Sequence, residues 1–208
     1  MEQREMEPAD ANLVVSAPEW HDEIEILGPS RIRVAAVDRL GGIAPEMIDW
    51  WFGRMDEQTY HRFHPVDHQK FAWVRGKQPG RHVGATHLTY HCYGGPPSPV
   101  LRTEISFIPP EQMLDPGLFA AFDVGAAVCA VVHALDEQDR PQLAEVGRFL
   151  HIARRTGYGT ELRSCWWLTV AADTDLDLVT KGRLRHVHEE FAYLTGFLGA
   201  LYAQEAST

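Results

Sequence analysis

Apolar and polar residues alternate with period two through most of this chain and change to a helical period near its end. EIEIL at Glu23 to Leu27 and RIRVAAV at Arg31 to Val37 alternate as strands do across Gly28, Pro29 and Ser30, which predicts a hairpin or bent strand pair. Pro45 then opens a short helix, PEMIDWWFGRM, with Met47, Trp50, Trp51 and Met55 as its apolar stripe. RHVGATHLTYHCYGG alternates again, with His87, Thr89 and His91 on one face and Leu88, Tyr90 and Cys92 on the other. VLRTEISFI at Val100 to Ile108 returns as a strand, and Pro109 to Phe122 reads as a loop with one helical turn. GAAVCAVVHAL at Gly125 to Leu135 is a buried strand by its β-branched content, and EVGRFLHIARRT and GTELRSCWWLTVA form a long hairpin across Gly157 and Tyr158. Residues 1–20 lack periodicity and contain Pro8 and Pro18, so they read as a mobile arm before one domain at 21–208.

The last stretch, Lys181 to Gln204, is amphipathic at about 100° per residue. Val187, Phe191, Tyr193, Leu194, Phe197, Leu198, Leu201 and Tyr202 fill one arc, opposite Arg185, His188, Glu189, Ala192, Gly196 and Ala203. Asp173 to Asp177 supply an acidic start that suits the helix dipole. The expected class is α+β: a curved antiparallel sheet gripping one long C-terminal helix, with a cavity between them. His186 and Glu190, one turn apart, fall inside the apolar arc. A carboxylate facing a core is costly unless paired or metal-bound. The pair is therefore either a salt bridge within the helix, a wet lining, or two ligands of one cation.

Other histidines sit where they bear on that choice. YHRFHPVDHQKFAWV carries His61, His64 and His68 beside Asp67, and Pro65 keeps His64 and His68 off a common helical face. One of the two is then the better ligand, the other a supporting group. Histidines on a strand face turned towards a helix can complete such a site, although a solvated polar face explains the same alternation. Glu104 on the next strand faces either water or the same cavity.

Composition narrows the function. With 208 residues, 45% apolar and 23% charged, the chain has an ordinary globular make-up. Its net charge of -10 and 19 Lys and Arg argue against a nucleic-acid surface, leaving small molecules or protein as partners. No apolar run is long enough to span a bilayer and the start is charged, so no membrane role and a cytoplasmic location are expected. Cys92, Cys129 and Cys165 are widely spaced and read as buried small residues. No G-x-S-x-G is present to support a serine hydrolase.

Four blocks in one order resemble a known family: Asp49 followed by WWFGRMDEQTYHRFHPVDH, then VGATHLTYHCYGG, GTELRSCWW and HVHEEFAYLTGFLGALY. Together they resemble the 2,4-diacetylphloroglucinol hydrolases and their relative phloretin hydrolase over roughly Trp50 to Tyr202. The resemblance implies a helix-grip fold like the birch-pollen allergen and START-like lipid-transfer domains. It also implies a zinc site of two His and two Glu, and hydrolysis of the carbon–carbon bond between an acyl group and a phenolic ring.

On that likeness His186 and Glu190 match the helical ligand pair and His68 the first histidine, while His91 stands where the family has a glutamate. Such an exchange would raise the site's net charge by one and alter its metal preference. Glu104 is the alternative carboxylate, and His64 with Asp67 would support the ligands. Tyr90, Tyr93, Tyr193 and His151 are the cavity-wall candidates for protonating the ring or orienting its hydroxyls. Trp50, Trp51, Trp166 and Trp167 are expected to pack the core. The implied partner is a small aromatic ketone, and a homodimer is compatible with this reading. A non-catalytic helix-grip carrier of an apolar aromatic ligand is the competing reading.

Overall fold

The computed structural model describes residues 8–95 and 98–205. Each alternating segment has an apolar face to bury, and the eight strands do so in one antiparallel sheet. In chain order they are β1 (Glu23–Gly28), β2 (Arg31–Gly41), β3 (His68–Arg75), β4 (Thr86–His91), β5 (Leu101–Ile108), β6 (Val124–Leu135), β7 (Pro141–Thr156) and β8 (Gly159–Thr169). They lie side by side in the order β1-β2-β8-β7-β6-β5-β4-β3, so β2 adjoins the last strand, β8, and the chain passes from β2 to the opposite edge of the sheet before β3. Helices α2 (Pro45–Phe52) and α3 (Glu57–Phe63) bridge β2 to β3. The main helix, α5 (Leu176–Thr195), lies across the inner face against β2 and α3.

Side-chain parity divides the core in two. Phe71, Phe107, Phe149 and Trp166 point inwards and meet Val187, Phe191 and Leu194 of α5. Their chain neighbours Leu150 and Trp167 point the other way, into a second cluster with Ala35, Cys129 and Cys165. The three cysteines are buried and unlinked, as expected. No helix among the described residues is long and apolar enough to cross a membrane.

Two expectations need correction. The proposed mobile arm is folded over its described part: α1 (Pro8–Ser16) buries Ala11, Val14 and Val15 in the second cluster, and Trp20 lies 3.5 Å beneath the Arg154 guanidinium. Pro8 stands at the helix start, where a missing N–H costs nothing, and the outer face of β6 to β8 supplies the apolar cover that no local pattern reveals. The long C-terminal helix is in fact two. α5 starts within the expected acidic turn, where the Asp175 side chain caps the Leu178 N–H at 3.1 Å, but it ends at Thr195 before α6 (Leu198–Glu205). The proposed loop at 109–122 holds a 3-10 turn (Pro110–Gln112) and a short helix, α4 (Gly117–Ala121).

Candidate metal centre

The site forms where the end of α3, the β3–β4 pair and the inner face of α5 meet. α3 starts in a reciprocal cap, Thr59 N–H donating to Asp56 Oδ1 at 2.7 Å and Asp56 N–H to Thr59 Oγ1 at 2.9 Å. It stops at His64, whose extended backbone is what the following Pro65 demands. The chain then turns to deliver Asp67 and His68, and β3 pairs with β4 so that His68 and His91 are cross-strand partners. Both project to the inner face, opposite His186 and Glu190 of α5.

Hydrogen bonds fix how the imidazoles are turned. His68 Nδ1 lies 2.8 Å from the Tyr60 carbonyl, and the Tyr60 ring stacks on His68 with centroids 3.7 Å apart. His186 Nδ1 lies 2.8 Å from Asp67 Oδ2, while Asp67 Oδ1 accepts the N–H groups of Gly94 and Gly95 at 2.9 and 2.8 Å. Those glycines hold φ of 88° and 70°, making an anion-binding nest that other residues adopt poorly. Because each Nδ1 faces an oxygen acceptor, each carries the proton when the ring is neutral.

The Nε2 atoms are then lone pairs, and both point at one oxygen: Glu190 Oε1 is 3.0 Å from His68 Nε2 and 3.2 Å from His186 Nε2. His91 Nε2, also buried, has no hydrogen-bond partner, and its ring lies 5.6 Å from that of His186. Converging acceptors of this kind repel one another unless protons or a cation stand between them. His68, His186 and Glu190 offer donor atoms all within 4.8 Å of one another. Three imidazoles and one carboxylate, with His68 and His186 each backed by a fixed oxygen partner, suit zinc in type and number.

The charge balance agrees. Burial, then the nearby Arg183, hold His91 well below the usual histidine range, and burial lowers His68 despite Glu190. Burial opposes ionisation of Glu190 and His186 too, but their mutual attraction wins, holding Glu190 well below the carboxylate range and raising His186. Without a cation the pair therefore keeps a proton, which a metal would displace.

His64 is a supporting group. Its Nδ1 accepts the Asp67 N–H at 3.0 Å, so its Nε2 donates to Glu189 at 3.0 Å, and its ring stacks on His186 at 4.6 Å. Glu104 faces away from the centre: one residue from the inward Ile105, it makes a two-point bridge to Arg75 at 2.6 and 2.9 Å.

Above the centre is a chamber of about 50 Å³ lined by aromatic rings, among them Phe52, Phe107, Phe149 and Trp166. His91, Ile105, Trp166 and Arg183 also border a larger outer groove of about 1150 Å³, so they form the throat between the two. Trp166 thus lines the cavity as well as packing the core. His151 lines the chamber, its Nδ1 bound to Ser164 Oγ at 2.8 Å and its pKa lowered to about 4 by burial. Tyr93 borders the groove, its ring edge-on to His186 at 5.3 Å and its pKa raised to about 12 by burial.

The other two tyrosines are not on the cavity wall. Tyr90 belongs to the outward parity of β4 and bonds Asp139 and Lys70. Tyr193 is 42% exposed, turned away from the buried Phe191 and Leu194 on the same turn of α5, with the His64 ring 5.6 Å from its own. Tyr60 and Arg183 line the chamber without having been expected there, beside His87 of the strand face already singled out. Arg183, three before His186, sits on the same helical stripe, so the helical period that marks His186 and Glu190 points to it as well.

A sheet that grips one long helix around a buried histidine and carboxylate cluster defines a helix-grip protein with a candidate metal centre. The solved structures it resembles share the fold at low identity. Ms6760 from Mycobacterium smegmatis aligns over 86% of this chain and 98% of its own at 11% identity and TM-score 0.53. Ara h 8.0201 aligns over 82% and 99% at 11% and 0.52, and the major latex-like protein 151 of Panax ginseng over 80% and 97% at 10% and 0.52. No curated protein matches the sequence. The model of the DAPG hydrolase PhiG domain, by contrast, matches residues 25–203, and the chain belongs to that hydrolase family.

Proposed function

We propose that this protein is a zinc-dependent hydrolase that cleaves the carbon–carbon bond between an acyl group and a phenolic, phloroglucinol-like ring or a related β-diketone. The observation that carries the reading is the convergence of two Nε2 lone pairs on the Glu190 carboxylate, with the unpartnered His91 Nε2 nearby, at an aromatic-lined chamber. His68, His91, His186 and Glu190 would hold the ion. Bound there, zinc would supply Lewis-acid polarisation of an acyl carbonyl and a more acidic water.

The remaining work falls to the chain. A ring carbon leaves only as a stabilised carbanion, so the ring must first take a proton and become its keto tautomer, a β-diketone. Water then adds to the acyl carbon, the bond to the ring breaks with its electrons passing into an enolate, and a carboxylic acid is released. Tyr93, held protonated by its raised pKa, is a donor at neutral pH beside the ligands. His151, neutral at the same pH, can accept or donate a hydrogen bond across the chamber without adding charge. The Tyr60 carbonyl and Asp67 keep the Nδ1 protons of His68 and His186 in place, leaving Nε2 free for the ion.

The test is zinc content of the purified protein and of His186→Ala, together with acid release from a panel of acylphloroglucinols before and after chelation. Stoichiometric zinc that the variant loses, and acid release that chelation abolishes, are expected. A protein that binds the panel tightly, never carries a transition metal and releases no acid is a carrier instead, a reading favoured by the size of the outer groove.

A further inference from the structure

We propose that Arg183 binds the substrate as an anion, its guanidinium taking a negatively charged ring oxygen of an acylated phenol at the throat of the chamber. This rests on the acyl-phenol reading above and adds to it the ionisation state and placement of the ring.

Arg183 is 6% exposed and its Nε is buried without a hydrogen-bond partner. It makes no ion pair with any carboxylate among the described residues. A buried guanidinium without a counter-charge is unfavourable, so a site that keeps one is poised for an incoming anion. The groups around it do not supply that charge. The Glu190 oxygen is committed to two histidines, and the side chains that share the throat with Arg183 bring no carboxylate: they are His91, Ile105 and Trp166, with Tyr93 alongside.

The immediate surroundings describe the guest. The guanidinium carbon lies 4.2 Å from the Trp166 ring centroid and 4.9 Å from that of Tyr93, so aromatic faces flank the cation and favour a flat, delocalised anion. Arg183 precedes His186 by three residues and Glu190 by seven, which sets it about 4.5 and 10.5 Å before them along the helix axis. A ring whose oxygen meets Arg183 therefore lies in the throat, with its acyl group directed inward to the histidines. The carbonyl conjugated with the ring makes such a phenol more acidic. Bond cleavage expels the ring with charge on the same oxygens, so one contact serves the bound substrate and the leaving group.

The test uses the full-length protein, zinc-loaded and chelated, with 2,4-dihydroxyacetophenone and its dimethyl ether as probes, in buffer well below the probe's own pKa. The bound phenol should absorb as the phenolate in both preparations. It should bind more tightly than the ether by about tenfold or more. Arg183→Met should abolish the phenolate spectrum and the preference, with Arg183→Lys keeping part of both. Phenol and ether bound alike, a bound probe absorbing as the neutral phenol, or a phenolate signal surviving in Arg183→Met would each overturn the proposal. So would displacement of the probe by acetate, which would make the released acid the anion held. If the variants do not fold, the spectrum and ether comparison on the natural protein still decide. Phenolate binding without acid release removes the hydrolase reading and leaves the anion site, whereas acid release without a phenolate spectrum does the reverse.

Discussion

Asp67 holds one imidazole in register with the carboxylate opposite it, and two glycine N–H groups hold Asp67 in turn. Removing it should cost zinc affinity more than fold. Asp67→Ala is expected to weaken zinc binding by about 10- to 100-fold, read by competition with a chromophoric chelator while circular dichroism stays native. A second residue-scale effect concerns His151, whose buried ring has a pKa near 4 against 6.5 for the ordinary group. The unfolded chain takes up the proton first, so the contribution is fully present above about pH 6.5 and is lost progressively as pH falls towards 4. That difference is worth about 3 kcal/mol. The urea midpoint should fall over this window in the natural protein and fall less in His151→Phe; equal slopes would remove His151 as the cause.

Among the elements, α5 was the most legible. Spacing by four put His186 and Glu190 on one inward stripe, and that is where they lie, both buried. Strand alternation likewise placed His87, Thr89 and His91 on a common face but left open whether it met water, and the fold buries it. Less legible was whatever depends on distant pairing. The parity of Glu104 and Tyr90 is plain, but which parity faces inwards is set by the neighbouring strands and by α5. The pairing of His68 with His91 depends on a register shift just after His68. The α1 cover and the break after Thr195 depend on surfaces elsewhere in the fold. α5 also has a clamp that sequence did not suggest: His188 bonds Asp38 of β2 at 2.7 Å and Asp22 at 3.1 Å. The Asp38 bond chiefly raises its pKa to about 9. Here the folded state holds the proton more tightly, so the clamp is complete below about pH 6.5 and is lost as pH rises through 9. Amide exchange along α5 should accelerate across that interval beyond its intrinsic pH dependence, and His188→Ala should show the faster exchange already at neutral pH.

Across the whole molecule, the candidate centre ties α5 to β3 and β4, the far edge of the sheet from the β2 strand on which the helix also rests. An ion bound there joins elements distant in sequence, so it should stabilise the folded chain by mass action. Chelation is expected to lower the melting temperature of the natural protein and to leave that of His186→Ala unchanged.

The inner chamber has a further consequence. About 50 Å³ holds roughly three or four water-sized groups, and with the ring oxygen at Arg183 this is the space left for the acyl side. The walls then act as a steric ruler on chain length. Acetyl and propionyl ketones should turn over with similar kcat/KM, longer acyl homologues should fall off steeply, and Phe149→Ala should move the cut-off towards the longer chains.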